Sequence, residues 1–336
     1  MKAVRLMIRF TVLVLIVVVG WSCQEEQGSV VAYMNASSTR TKFVQEGDYM
    51  ARSLKSLGHE VIVVAAEDDD ALQLSQGYEL LEKGVDALVI VAVNGNTIAP
   101  LVREAKRRGV SVFAYNRLIN NAELDFLIAG DNAGYANLFC EAVLEKSPAG
   151  NYVVLGGDRF DMNGLALLQH ILDNLKPHVE SGRINLVYET FIEGWSRERA
   201  EFEMQKIVDA YGDAIDVVIA CNDPMGMGAY EVLKKNGVHH GVLVTGQGAY
   251  QDVVQSIYND GLFMTILHPA EELGAGAAKL IDAVLRGGSV TDLADSYTFN
   301  GAMNVPTLSF PSVKVTKENL EEVLIQSGVY AREDLR

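Results

Sequence analysis

Apolar and polar positions along most of the chain repeat with two periods. Short apolar runs at 30–34, 61–65, 87–93 and 110–114 are separated by stretches over 42–57, 72–83 and 98–108, whose apolar residues recur at helical spacing. Strand, helix, strand in this order predicts a βαβ series, hence a parallel sheet with helices on both faces. Leu57-Gly58, Lys83-Gly84 and Arg108-Gly109 close the three helices with the residue that tolerates left-handed backbone. A second series begins near Tyr135: a helix to 144, strand 152–155, helix 163–175, strand 184–189, helix 197–211, strand 217–220, helix 227–235 and strand 242–245. From Thr265 come another strand, a helix over 270–286 and a tail with Val305-Pro306 and Phe310-Pro311, too short for a third domain. Two α/β lobes are expected, one from 30–133 plus 270–305 and one from 134–269 plus 306–336.

The start of the chain breaks this pattern. Lys2, Arg5 and Arg9 precede a 12-residue uncharged stretch from Phe10 to Trp21, short of the roughly 20 apolar residues a spanning helix needs. This predicts a signal peptide over 1–22. Gly20-Trp21-Ser22-Cys23 places a small residue before a cysteine, as in a bacterial lipoprotein cleavage box, with Cys23 the expected lipidated first residue; the plainer reading is secretion with Cys23 an incidental thiol. Residues 23–29 form a polar tether. The working protein is thus expected outside the cytoplasm, held to a membrane through lipid only. Cys140 and Cys221 read as buried thiols, and the three cysteines fit no zinc spacing.

Charge removes further classes. The 336 residues carry 28 Lys and Arg against 44 Asp and Glu, and three of those basic groups precede residue 23, so a nucleic-acid partner is not expected. No G-x-S-x-G elbow, P-loop or zinc helix occurs, and the glycine pairs Gly226/Gly228 and Gly246/Gly248 lack the third glycine of a dinucleotide fingerprint. No cofactor or metal is expected. His239-His240 reads as a surface turn, Glu67-Asp68-Asp69-Asp70 as the acidic start of a helix rather than a calcium loop, and Lys106-Arg107-Arg108 as its basic counterpart at a helix end.

In open α/β sheets, ligands bind beyond the carboxyl ends of the strands. Residues there are 35–43, 115–117, 156–163, 194–195, 222–223, 246–248 and His268. They are rich in amides and aromatics, with Arg117 and isolated carboxylates, a set suited to a neutral polyhydroxylated ligand whose hydroxyls both donate and accept. Trp195 and Phe43 offer ring faces for stacking. Each also has a structural reading: Trp195 as hinge or core packing, Asp161 and Asn222-Asp223 as helix caps, Arg117 as a surface ion pair.

The stretches 112–120, Gly150-Asn151-Tyr152 with Gly156-Gly157, Glu193-Gly194-Trp195, 215–218 with Asn222-Asp223, and Asn304-Val305-Pro306 together resemble the periplasmic sugar-binding proteins of ABC transporters, over nearly all of the chain from Val30 on. The resemblance implies a type I periplasmic-binding-protein fold of two lobes joined by three hinge strands. It also implies a monosaccharide in the cleft, no catalysis, a monomer, and delivery to a membrane permease. The family's sugar contacts fall on Lys42, Phe43, Asn116, Arg117, Asp161, Asn163, Trp195, Asn222, Gly248 and His268. Arg117, Asp161, Asn163, Trp195 and Asn222 keep the identities of the xylose-binding pattern. That pattern has Arg-Trp where Lys42-Phe43 stand, Asp at Asn116, Asp at Gly248 and Lys at His268. Weaker xylose binding is expected, to be raised by Gly248→Asp with His268→Lys; another pentose, a hexose or a modified sugar is the expected alternative. Other roles for the same fold are sugar sensing through a kinase or chemoreceptor, LacI-type regulation, which lacks its N-terminal helix-turn-helix here, and an extracellular sugar enzyme using Asp161 and Asp223.

Overall fold

The computed structural model describes residues 28–335. The expected signal peptide, Cys23 and most of the tether lie outside the described residues. The first lobe is built from β1 (Val30–Asn35), α1 (Thr41–Ser56), β2 (Glu60–Ala65), α2 (Asp70–Glu82), β3 (Ala87–Ile90), α3 (Ala99–Arg107), β4 (Ser111–Tyr115) and β5 (Phe126–Gly130). Along β1, Val31 and Tyr33 enter one apolar layer while Ala32 and Met34 enter the other. Burial on both faces is why these strands read as continuous apolar runs rather than alternating ones.

The second lobe contains α4 (Asn132–Lys146), β6 (Gly150–Gly156), α5 (Met162–Glu180), β7 (Ile184–Phe191), α6 (Arg197–Tyr211), β8 (Val217–Ala220), α7 (Asp223–Lys235), β9 (Leu243–Val244), α8 (Gln251–Tyr258) and β10 (Met264–Leu267). The chain then returns to the first lobe through α9 (Ala270–Leu285), β11 (Ser296–Phe299) and β12 (Asn304–Phe310), and re-enters the second lobe with β13 (Val313–Thr316), after which Leu324 and Leu335 join its core. It therefore crosses between lobes three times, near Asp131, at His268-Pro269 and at Pro311-Ser312.

The seven-stranded sheet has the order β11-β12-β5-β4-β3-β1-β2, parallel except for β11, and the four-stranded sheet the order β7-β6-β8-β9. In both, the strand order reverses beside the first strand, between β1 and β3 and between β6 and β8. Those two switch points are where an open α/β sheet leaves a crevice.

The structure corrects the expected layout in three places. β12 pairs with β5 as far as Phe310↔Gly130, so the first lobe runs through Phe310 and the expected division at 305/306 falls inside a strand. β5 was not expected, because a five-residue apolar run of this kind carries no period of its own. α8 was missed as well, since its buried Val253, Val254 and Ile257 span barely two turns. The acidic run at 67–70 starts α2, with Asp69 accepting from Leu72 N at 3.0 Å as its cap. At the end of α3, Lys106 bonds Asp125 at 2.7 Å while Arg107 and Arg108 share Glu104.

Cys140 and Cys221 are both free and buried. Burial pushes the Cys140 thiol up to about 12 and the Cys221 thiol higher still. Neither supplies thiolate at neutral pH. Both are expected to stay unmodified by a thiol reagent in the native protein and to react on unfolding, read residue by residue by mass spectrometry; native modification of either one contradicts this packing.

Candidate functional site

The two switch points face each other across a cavity of about 260 Å³. Its first-lobe wall is the loop after β1 with the start of α1, and the end of β4; the second-lobe wall is the starts of α5 and α7 with the loop at 246–250. All ten residues singled out from the sequence line it: Lys42, Phe43, Asn116, Arg117, Asp161, Asn163, Trp195, Asn222, Gly248 and His268. The structure adds Asn132, Tyr135, Leu167, Cys221 and Tyr250. Asn132 and Tyr135 went unnoticed because they follow β5; the signal was the apolar run 126–129 ending in Gly130-Asp131-Asn132, a strand end followed by a cap.

Several of these side chains are held by the protein itself. Asp161 caps α5, accepting from Asn163 N at 2.9 Å, and faces Arg117 across the cleft with Nε to Oδ2 at 3.6 Å. The cap reading of Asp161 holds, while the ion pair of Arg117 lies across the cleft and not at the surface, and both groups stay at the cavity. Arg117 also donates to the Ala92 carbonyl at 3.0 Å and lies over the Phe43 ring, 5.7 Å from its centroid. Burial draws its pKa below the ordinary value, with the Asp161 charge opposing. Asn163 Nδ2 donates to the Asn116 carbonyl at 2.9 Å, and Asn163 Oδ1 accepts from Asn132 at 2.9 Å. The Asn163–Asn116 bond and the Arg117–Asp161 contact cross between the lobes and describe a closed cleft. Asn116 stands at φ +61°, in the left-handed region that asparagine enters more readily than most residues.

Asn222 caps α7, accepting from Met225 N at 2.8 Å, and donates to the Trp195 carbonyl at 3.1 Å. The Trp195 ring lies on bare backbone: a Cβ at Gly157 would stand 2.2 Å from Trp195 Cη2. That glycine is what lets the indole reach the cavity wall.

His268 sits on a lobe crossing. Its Nδ1–H donates to Ser312 Oγ on another crossing at 2.6 Å, its Nε2 accepts from Gln247 at 2.9 Å, and Tyr135 packs edge-on at 4.9 Å. Burial pushes its pKa well below the usual value, with the Lys42 charge adding to the effect. His268 is thus a neutral imidazole fixed in one tautomer.

Asp223 does not reach the cavity. Fully buried behind Gly248, its carboxyl accepts from Thr265 Oγ1 and Tyr250 N, both at 2.6 Å, and so holds the 246–250 loop in place. A pairing of Asp161 with Asp223 as two working carboxylates is therefore ruled out by position. The local structure also weighs against the Gly248→Asp half of the expected double change. Gly248 has φ +135°, and a Cβ there would lie 3.0 Å from Tyr250 Cε1 and 3.4 Å from Asp223 Oδ2. An aspartate would meet strained backbone, a ring and a second carboxyl at once.

Burial raises Asp223 to about 7. An unfolded aspartate loses its proton near ~3.9, so Asp223's contribution to stability is full below that pH and is lost as the pH rises through about 7. Asn at 223 keeps an acceptor for Tyr250 N and cannot titrate. Wild-type stability relative to Asp223→Asn is expected to fall between about pH 4 and pH 7, by at most ~1.4 kcal/mol per pH unit, in urea unfolding series; a pH-independent difference removes the assignment. Gly157→Ala is expected to displace the indole and shift the emission of Trp195; an unchanged spectrum contradicts the seating described.

Residues 31–289 match the family model of the periplasmic binding protein domain. The chain is 32% identical over 294 residues to the D-xylose-binding periplasmic protein of Haemophilus influenzae, covering 88% of each, and matches that of Escherichia coli to the same extent. A solved ABC transporter solute binding protein from Clostridium phytofermentans, with bound β-D-glucose, is similar at a TM-score of 0.80 and 27% identity, over 91% of this chain and 100% of that one. The closed two-lobe cleft and these matches agree: the chain belongs to the periplasmic binding protein family, among its sugar-binding members.

Proposed function

We propose that this protein is an extracytoplasmic solute-binding lipoprotein that captures a monosaccharide, xylose or a related pentose or hexose, for an ABC importer and catalyses no reaction. The observation that carries this reading is the cavity between the two switch points, lined by all ten expected residues. Asn116, Asn163, Asn222 and Asp161 supply acceptors and amide donors for sugar hydroxyls, Arg117 and Lys42 charged donors, and Trp195 with Phe43 the apolar ring faces. Because most of the polar groups are already fixed by caps and neighbouring loops, little rotamer freedom is lost when a ligand arrives. The three lobe crossings act as hinges, and the Asn163–Asn116 and Arg117–Asp161 contacts favour the closed form. Lipid at Cys23 holds the monomer to a membrane near its permease.

A thermal-shift panel of pentoses, hexoses and polyols tests the reading, since a ligand that binds only the native state raises stability by about 2.7 kcal/mol at a hundredfold excess over Kd. At least one is expected to raise the melting midpoint; none doing so removes the proposal. Trp195→Ala is expected to weaken the best ligand by roughly 1–3 kcal/mol while the protein stays folded. Unchanged affinity in calorimetry places the ligand elsewhere. Cys23→Ala is expected to release the protein from the membrane fraction, and equal retention of the variant contradicts acylation.

A further inference from the structure

The charge lining the cavity is opposite in sign to that of the chain. The protein has a formal net charge of −16, yet the lining holds three cations, Arg40, Lys42 and Arg117, and one carboxylate, Asp161. Two of the cations are matched: Arg40 pairs with Asp68 at 3.0 Å on the outer side of the cleft, and Arg117 faces Asp161. Lys42 makes no hydrogen bond or ion pair among the described residues, and its ammonium stands 5.9 Å from the Phe43 ring centroid. Glu46, one turn further along α1, is buried, and no hydrogen bond reaches its Oε1. Burial raises its pKa above the ordinary value and the Lys42 charge opposes this, but no ion pair or hydrogen bond joins the two side chains. The first turn of α1, which carries Lys42, contains no acidic residue and no side-chain cap. His268, neutral and engaged at both ring nitrogens, supplies no negative charge.

From this unpaired cation, in a cavity whose other charges are matched, we infer that the ligand is an acidic monosaccharide, a uronate or an aldonate, whose carboxylate pairs with Lys42. This rests on the sugar-binding reading and narrows it. The neutral part of the ligand meets the amides and Trp195, and the carboxylate completes the charge that the protein leaves open. A charge-assisted pair within a closed cleft is worth more than a neutral hydrogen bond, so acid and neutral forms of one sugar are expected to separate by about tenfold or more in affinity.

Calorimetry with matched ligands tests this: D-glucuronate against D-glucose and D-xylonate against D-xylose, with D-glucose 6-phosphate as the phosphate arm, each at low and high salt. The expected result is that one acid binds about tenfold or more tightly than its neutral counterpart, that added salt reduces this advantage, and that Lys42→Gln shrinks the acid-to-neutral ratio. Neutral sugars binding as well as or better than their acids overturn the inference and leave sugar binding standing. The phosphate ester binding most tightly overturns the carboxylate. No binding by any of the five overturns the inference, and the function it rests on then stands or falls with the thermal-shift panel. Should Lys42→Gln fail to fold, the wild-type acid-to-neutral ratio and its salt dependence still decide.

Discussion

Parallel pairing is the constraint on which the cleft depends. Because β1, β3 and β4 run the same way, and β6 and β8 do so in the other lobe, their carboxyl ends gather on one side of each sheet. The residues that follow those ends are forced into one place: the loop that leads to Lys42 and Phe43, then Asn116 with Arg117, Asp161 with Asn163, and Asn222. Antiparallel strands would have scattered these loops to both ends of the sheets.

The helix starts make that gathering useful. Asp161 and Asn222 each satisfy backbone N–H groups that a helix leaves open, and in doing so are fixed at the cavity wall. Structural and binding readings of a cap are therefore not alternatives here. The same economy appears at His268, where one imidazole joins two lobe crossings to the loop that carries Gln247 and Gly248. A shift in any of these parts is therefore felt by the others.

Burial decides what charge these groups present. His268 is held neutral and Asp223 is withdrawn behind Gly248 with its proton retained to about pH 7. What remains facing the cavity is a set of amides, aromatic faces, a cross-cleft Arg117–Asp161 pair and Lys42. Sequence position marked His268 as a ligand contact and Asp223 as a candidate working carboxylate; their surroundings show His268 joining two lobe crossings and Asp223 holding the loop.

Much of this protein was legible before any coordinate. The alternation of apolar runs with helical spacing fixed two parallel-sheet lobes, because burial on both faces of a strand and on one face of a helix imposes distinct periods on the chain. Strand ends then marked the stretches, and the family resemblance within them the ten positions, that meet at the cavity. Only the tertiary structure decided what lies behind them. That β12 completes the first sheet as far as Phe310, that Gly248 is held at a positive φ against Tyr250, that Trp195 rests on Gly157, and that Lys42 alone lacks an anionic partner among the cations lining the cavity all depend on residues far apart in the chain. Local periodicity records which face a residue turns inward; it holds no record of which distant residue it meets there.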